Sequence, residues 1–155
     1  MKRKVNILLL GLALTAILGI AQNAGATLGQ PADSLAADQK ALSARRNAAT
    51  VRNGYTIQEV ESDAAKVREF ISPSGIVFAI AWDGIVQPDL VQLLGSYFEE
   101  YRDAQQKNPG MPGRRSLQVK TNRVVVEKWG HMRSVHGRAY VPALIPSGVN
   151  IHEIR

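Results

Sequence analysis

Cysteine is absent from the chain. That excludes disulfides, thiolate metal ligands and a thiol nucleophile. It also excludes the lipid anchor of bacterial lipoproteins, which requires a Cys just after the apolar part of the export signal. Aromatic residues are sparse, with two Trp, four Tyr and three Phe in 155 residues, so most of the core must be aliphatic. Long apolar runs are scarce too. Val5 to Ala21 approaches membrane thickness, at about 17 residues where a spanning helix needs about 20, and no second stretch comes near it. Internal repeats and low-complexity linkers are missing as well.

What is present begins with an export signal. Lys2, Arg3 and Lys4 precede the Val5–Ala21 run, and Ala24-Gly25-Ala26 offers the small side chains that a signal peptidase accepts at the two positions it reads. Cleavage between Ala26 and Thr27 is expected, leaving a periplasmic or extracellular domain of residues 27–155. A domain of that size hides roughly two-thirds of its unfolded surface, enough to stand without disulfides.

The formal net charge of +6 falls to +3 once the basic start is removed, and its distribution is uneven. Residues 27–106 net −4, whereas residues 107–138 carry eight Lys/Arg against Glu127 alone and net +7. Such a segment either meets an anionic partner or is a solvated face of the fold.

Ser34 can cap a short helix reaching about Arg46, so residues 27–50 read as a helical arm, docked or mobile. Asn53-Gly54 signals a turn, and Tyr55–Glu61, Val67–Ser72 and Ile76–Trp82 read as strands. Ser72-Pro73-Ser74-Gly75 closes the last two into a hairpin. Ile76–Trp82 is apolar on both faces, as a central strand must be. Pro88 and Asp89 suit a helix start, and Leu90, Leu93, Leu94, Tyr97, Phe98 and Tyr101 form one stripe at three- and four-residue steps. That helix ends near Lys107, before Asn108-Pro109-Gly110. Leu117–Lys120, Arg123–Trp129 and Met132–Val141 follow as strands, with Val149–Ile154 as a last edge strand. The pattern predicts one α+β domain: an antiparallel sheet of about six strands, one long amphipathic helix packed on it, and a short N-terminal helix.

The run Val67-Arg68-Glu69-Phe70-Ile71-Ser72-Pro73-Ser74-Gly75-Ile76-Val77-Phe78-Ala79-Ile80-Ala81-Trp82 resembles a family of exported proteobacterial proteins, the domain of unknown function numbered 2844. Pro88-Asp89-Leu90, Leu93-Leu94-Gly95-Ser96-Tyr97-Phe98, Gly130-His131-Met132-Arg133 and His136-Gly137-Arg138-Ala139-Tyr140-Val141-Pro142 carry the same likeness. The resemblance implies export and a single domain. It brings no activity, cofactor or catalytic residue with it.

The chemical groups sort into a few candidates. Glu69, Asp83 and Asp89 supply the carboxylates that a small extracytoplasmic hydrolase would need, although acids at strand ends and helix starts commonly serve as caps. His131 and His136 are five apart and His152 lies near the end; on a single strand that step puts two rings on opposite faces, so no metal site is expected. Ser96 lies inside the long helix, not on a Gly-x-Ser-x-Gly elbow. Trp82, Trp129, Tyr97, Tyr101 and Tyr140 read as core, or as the wall of a groove for sugar or peptide. Arg114, Arg115, Lys120, Arg123, Arg133 and Arg138 are the candidate anion- or partner-binding residues, because guanidinium groups match phosphate and carboxylate geometry. Nucleic acid is a poor candidate partner, because an exported protein leaves the cytoplasm. The sequence points to a non-catalytic envelope or secreted accessory protein, with no cofactor, that binds a protein or an anionic envelope component and is anchored in a membrane only if its signal stays uncleaved; the hydrolase is the alternative.

Overall fold

The computed structural model of the chain describes residues 27–32, 45 and 46, 49–109 and 115–155. Eight strands form one antiparallel sheet: β1 (Arg45–Arg46), β2 (Thr50–Arg52), β3 (Tyr55–Glu61), β4 (Ala65–Ile71), β5 (Val77–Gly84), β6 (Ser116–Lys120), β7 (Val125–His131) and β8 (Ser134–Tyr140). They fill seven positions across, not about six, in the order β1-β3-β4-β5-β8-β7-β6; β2 shares the β3 edge with β1. Asn53-Gly54 is the two-residue loop of the β2–β3 hairpin, since Arg52 pairs with Tyr55. The predicted helix from Ser34 lies mostly outside the described residues, and its last two positions, Arg45 and Arg46, are strand.

β5 holds the centre because both of its faces are covered. On one face Val77, Ile80 and Trp82 join Val126, Ala139 and Val141 under the helix residues Leu90, Leu93, Leu94 and Tyr101. On the other, Phe78, Ala79 and Ala81 lie with Tyr55, Phe70, Val125 and Tyr140 beneath the C-terminal segment, where Ile154 is fully buried. A bulge between Phe70 and Ile71 resets the alternation near the hairpin turn. The C-terminal stretch predicted as an edge strand is instead a lid closed by 3-10 turns at Pro142–Leu144 and Ile151–Glu153. A strand could pair only at an edge, whereas these apolar side chains are needed over the middle of the sheet.

The predicted long helix is a helical run with a break: α1 (Leu90–Leu94), a 3-10 turn at Gly95–Tyr97, and α2 (Phe98–Lys107). Its start is as expected, with Asp89 accepting from the Val91 N–H at 2.8 Å. The break has a tertiary cause. Gly95 has φ +49°, and Thr27 packs where its side chain would lie. The segment beginning at Thr27 crosses here, the Leu28 N–H donating to the Leu93 carbonyl at 3.0 Å and the Gly29 N–H to Val77 at 2.8 Å. Leu28 itself is fully buried. Among the described residues no helix is long and apolar enough to cross a membrane; the export signal predicted at residues 1–26 lies outside them.

Candidate functional site

The six candidate basic residues do not share one face. Arg114 lies outside the described residues. Arg115 lies just before β6, exposed, its carbonyl accepting from the Gly130 N–H at 3.0 Å. Arg133 is exposed in the two-residue turn between β7 and β8, at φ 65°, which is uncommon outside glycine. These two stand at one end of the sheet. Lys120 and Arg123 stand at the other, around the β6–β7 turn. Arg123 is a strut: its Nε donates to Glu100 Oε2 at 2.6 Å and its guanidinium lies 5.1 Å from the centre of the Tyr97 ring. The Thr121 side chain first, and Arg123 second, hold the Glu100 carboxyl below its usual range.

Arg138 is half-buried within the sheet. It pairs with Glu127, and its Nη1 donates to the carbonyls of Ile151 at 2.8 Å and Ile154 at 3.3 Å, which pins the C-terminal lid. These bonds tie the lid to the sheet. Tyr55 makes a second tie, its hydroxyl donating to Glu153 at 3.0 Å; burial first, and then Glu153, raise the phenol above its usual range.

The three carboxylates are separated. Glu69 is buried, 2% exposed, and strand alternation turns it to the helix-covered face. Asp83 is on the opposite face, ion-paired with Arg68. Asp89 is occupied as the α1 cap. Ser96 is exposed in the 3-10 turn of the helical run.

His131 and His136 sit on the two arms of the β7–β8 hairpin, not on one strand, so alternation places both on the same face of the sheet. Met132-Arg133 carries no Gly, Pro or Asn to mark the turn between them. Among the described residues no group of three or more His, Asp or Glu is placed to hold a metal ion.

Two features emerge from this geometry. The first is an exposed apolar tip. Gly84 pairs with Val135 and His131 with Ser134, so the Ile85-Val86 loop after β5 lies beside the β7–β8 turn. Met132 is 90% exposed there, with Ile85 and Val86 more than half exposed. A shallow groove of about 320 Å³, lined by Arg115, Lys128, Trp129, His131, Met132 and Val135 among others, continues from the tip. The second is a cleft of about 490 Å³ on the lid-covered face, beyond the lid's edge, walled by Arg68, Asp83, Glu127, Trp129, His136 and Arg138. Trp129, predicted as core or groove wall, is 38% exposed and stacks on His136, ring centres 6.2 Å apart and planes within 15°. The other aromatics named from the sequence, Trp82, Tyr101 and Tyr140, are buried, and Tyr97 is half-buried against the N-terminal segment.

The fold and these sites define a one-sheet α+β domain with its helix on one face and a C-terminal lid on the other. The chain belongs to the family described as protein of unknown function DUF2844, matched over residues 24–154. Neither curated proteins nor solved structures give a match to it.

Proposed function

We propose that this chain is an exported, non-catalytic accessory protein that docks on an anionic lipid surface of the bacterial envelope through the tip formed by Ile85, Val86 and Met132. The observation carrying this reading is the near-complete exposure of Met132 beside two more exposed aliphatic residues, flanked by Arg115 and Arg133. Apolar tips of this kind bury themselves at the boundary between headgroups and acyl chains, while neighbouring guanidinium groups are drawn to anionic headgroups. Export supplies access to such a surface. Cleavage after Ala26 is compatible with the fold, since Leu28 is already packed in the core. The dispersal of Glu69, Asp83 and Asp89 favours binding over hydrolysis.

Co-sedimentation of the exported form with vesicles tests the reading. Vesicles containing phosphatidylglycerol should retain the protein at low salt, and pure phosphatidylcholine vesicles should retain little. Met132→Asp with Val86→Asp should abolish retention. Arg115→Ser with Arg133→Ser should weaken it and reduce its salt dependence, while Arg52→Ser with Lys120→Ser, removing equal charge elsewhere, should not. Equal effects from both charge pairs, or retention indifferent to the aspartates, would overturn it.

A further inference from the structure

We propose that the cleft beside the lid is a saccharide-binding site, with the exposed face of Trp129 as its stacking platform. The cleft differs from the apolar tip in chemistry, and of its lining residues only Trp129 also borders the groove that continues from the tip. Its volume, about 490 Å³, lies within the roughly 300–1,000 Å³ typical of small-molecule sites.

The class of ligand follows from how the charges are disposed. Of the three guanidinium groups that line the cleft, two are matched by carboxylates, Arg68 by Asp83 and Arg138 by Glu127, and the third, Arg155, stands at the rim. Each pair is neutral as a unit, so neither a small anion nor a cation meets an unbalanced charge from it. A neutral ligand rich in hydroxyls, which both donate and accept, fits such compensated pairs. Capacity remains in the wall: Asp83 Oδ2 and His136 Nδ1 have no hydrogen-bond partner among the described residues, since Arg68 uses Oδ1 and Ser134 uses Nε2. The groups that would receive hydroxyls are also held in place. Glu127 is fixed by Gln118 as well as Arg138, and Arg138 by two lid carbonyls. Little side-chain entropy is then lost when a ligand binds.

The platform adds the second half of the recognition. A pyranose has one face of C–H bonds polarised by neighbouring oxygens, which complements the negative face of an indole ring. Trp129 exposes part of its indole, and its stacking on His136 fixes the orientation of the ring. His152 and Arg155 stand at the rim, the Arg155 Nε–H donating to the His152 carbonyl at 3.1 Å, so the end of the lid borders the site.

The test is a titration of the exported protein with cellotriose, maltotriose and the N-acetylglucosamine trisaccharide, followed by NMR of the Trp129 indole N–H and the His136 ring. Weak, saturable binding with a Kd of about 0.1–1 mM is expected for at least one of them. Trp129→Ala should weaken it at least tenfold, and Asp83→Asn by a smaller factor. Both are surface positions, and unchanged amide spectra elsewhere verify that each variant folds. Met132→Asp, which disrupts the lipid-docking tip, should leave the titration unchanged. The proposal is overturned if no trisaccharide shifts these signals at about 10 mM, if inorganic phosphate shifts them and no sugar does, or if well-folded Trp129→Ala binds sugar as tightly as wild type.

Discussion

The indole of Trp82 occupies the space that a side chain at position 137 would fill. The two residues pair across β5 and β8, and a β-carbon on Gly137 would overlap the six-membered part of the ring and stand 2.9 Å from the Glu127 carbonyl oxygen. Trp82 is 1% exposed and its Nε1–H finds no acceptor among the described residues, so the ring is held by packing. Gly137→Ala should cost about 1–3 kcal/mol, the usual range for overpacking a dense interior. Urea unfolding reads the loss directly. In a Trp82→Leu background the same change should cost less, because the two residues are in contact and their effects do not add. Equal cost in both backgrounds would place the clash with the backbone of β7 alone.

Leu94 tests the helix-covered core. It is fully buried at the centre of the apolar stripe, whereas Val91, one turn away, is more than half exposed. Leu94→Ala should destabilise by about 2–5 kcal/mol. Val91→Ala should change stability by no more than about 0.5 kcal/mol. Urea midpoints at unchanged slope distinguish the two, and a loss below about 1 kcal/mol at Leu94 would mean the stripe is not the packed face.

The contrast between these positions shows what the sequence makes legible. Leu90, Leu93, Leu94 and Tyr101 declare a buried helical face by spacing alone, and the two-sided apolarity of β5 declares a covered central strand. Asn53-Gly54 signals the turn, but Thr50–Arg52 is too short and polar to read as the strand before it. Three features depend on contacts far along the chain. The break at Gly95 exists because Thr27 crosses there, the C-terminal lid is non-strand because Tyr55, Phe70 and Phe78 need cover, and the β7–β8 turn uses a left-handed Arg133. The cleft was hidden for the same reason: Arg68, Asp83, His136 and Trp129 come together across four strands, and only the register assembles them.

The lid gives an alkaline prediction. Tyr55 is buried and bonded to Glu153, and its phenol is raised above the usual value. A raised folded pKa means the neutral form is favoured by folding. That contribution is fully present below the unfolded pKa of about 10 and is lost as pH rises through the higher folded value. Tyr55→Phe should lose about 0.5–1.5 kcal/mol at neutral pH through the missing hydrogen bond. It should also decline less than wild type between roughly pH 9 and 12, when urea midpoints are compared across that range. Parallel decline of both proteins would exclude Tyr55 as the titrating group.

The opposite sign applies at Glu100, which ties the helix to the β6–β7 turn through Arg123. Its carboxyl is lowered, by the Thr121 side chain first and Arg123 second. Folding therefore favours the charged form. The stabilisation is present above the unfolded carboxyl pKa of about 4.3 and is lost as pH falls through the depressed folded value. Because Arg123 is largely exposed, the pair is screened by solvent and Glu100→Gln should cost no more than about 1 kcal/mol at pH 7. The diagnostic is the shape of the curve. Wild type and variant should differ at pH 7 and converge as pH falls below about 4, since protonated Glu and Gln offer Arg123 similar neutral partners. High salt at pH 7 should narrow the gap as well, because screening weakens an exposed ion pair. A difference that persists unchanged to low pH would mean that Glu100 acts through packing, and that the strut between helix and turn is carried by the Arg123–Tyr97 stack instead.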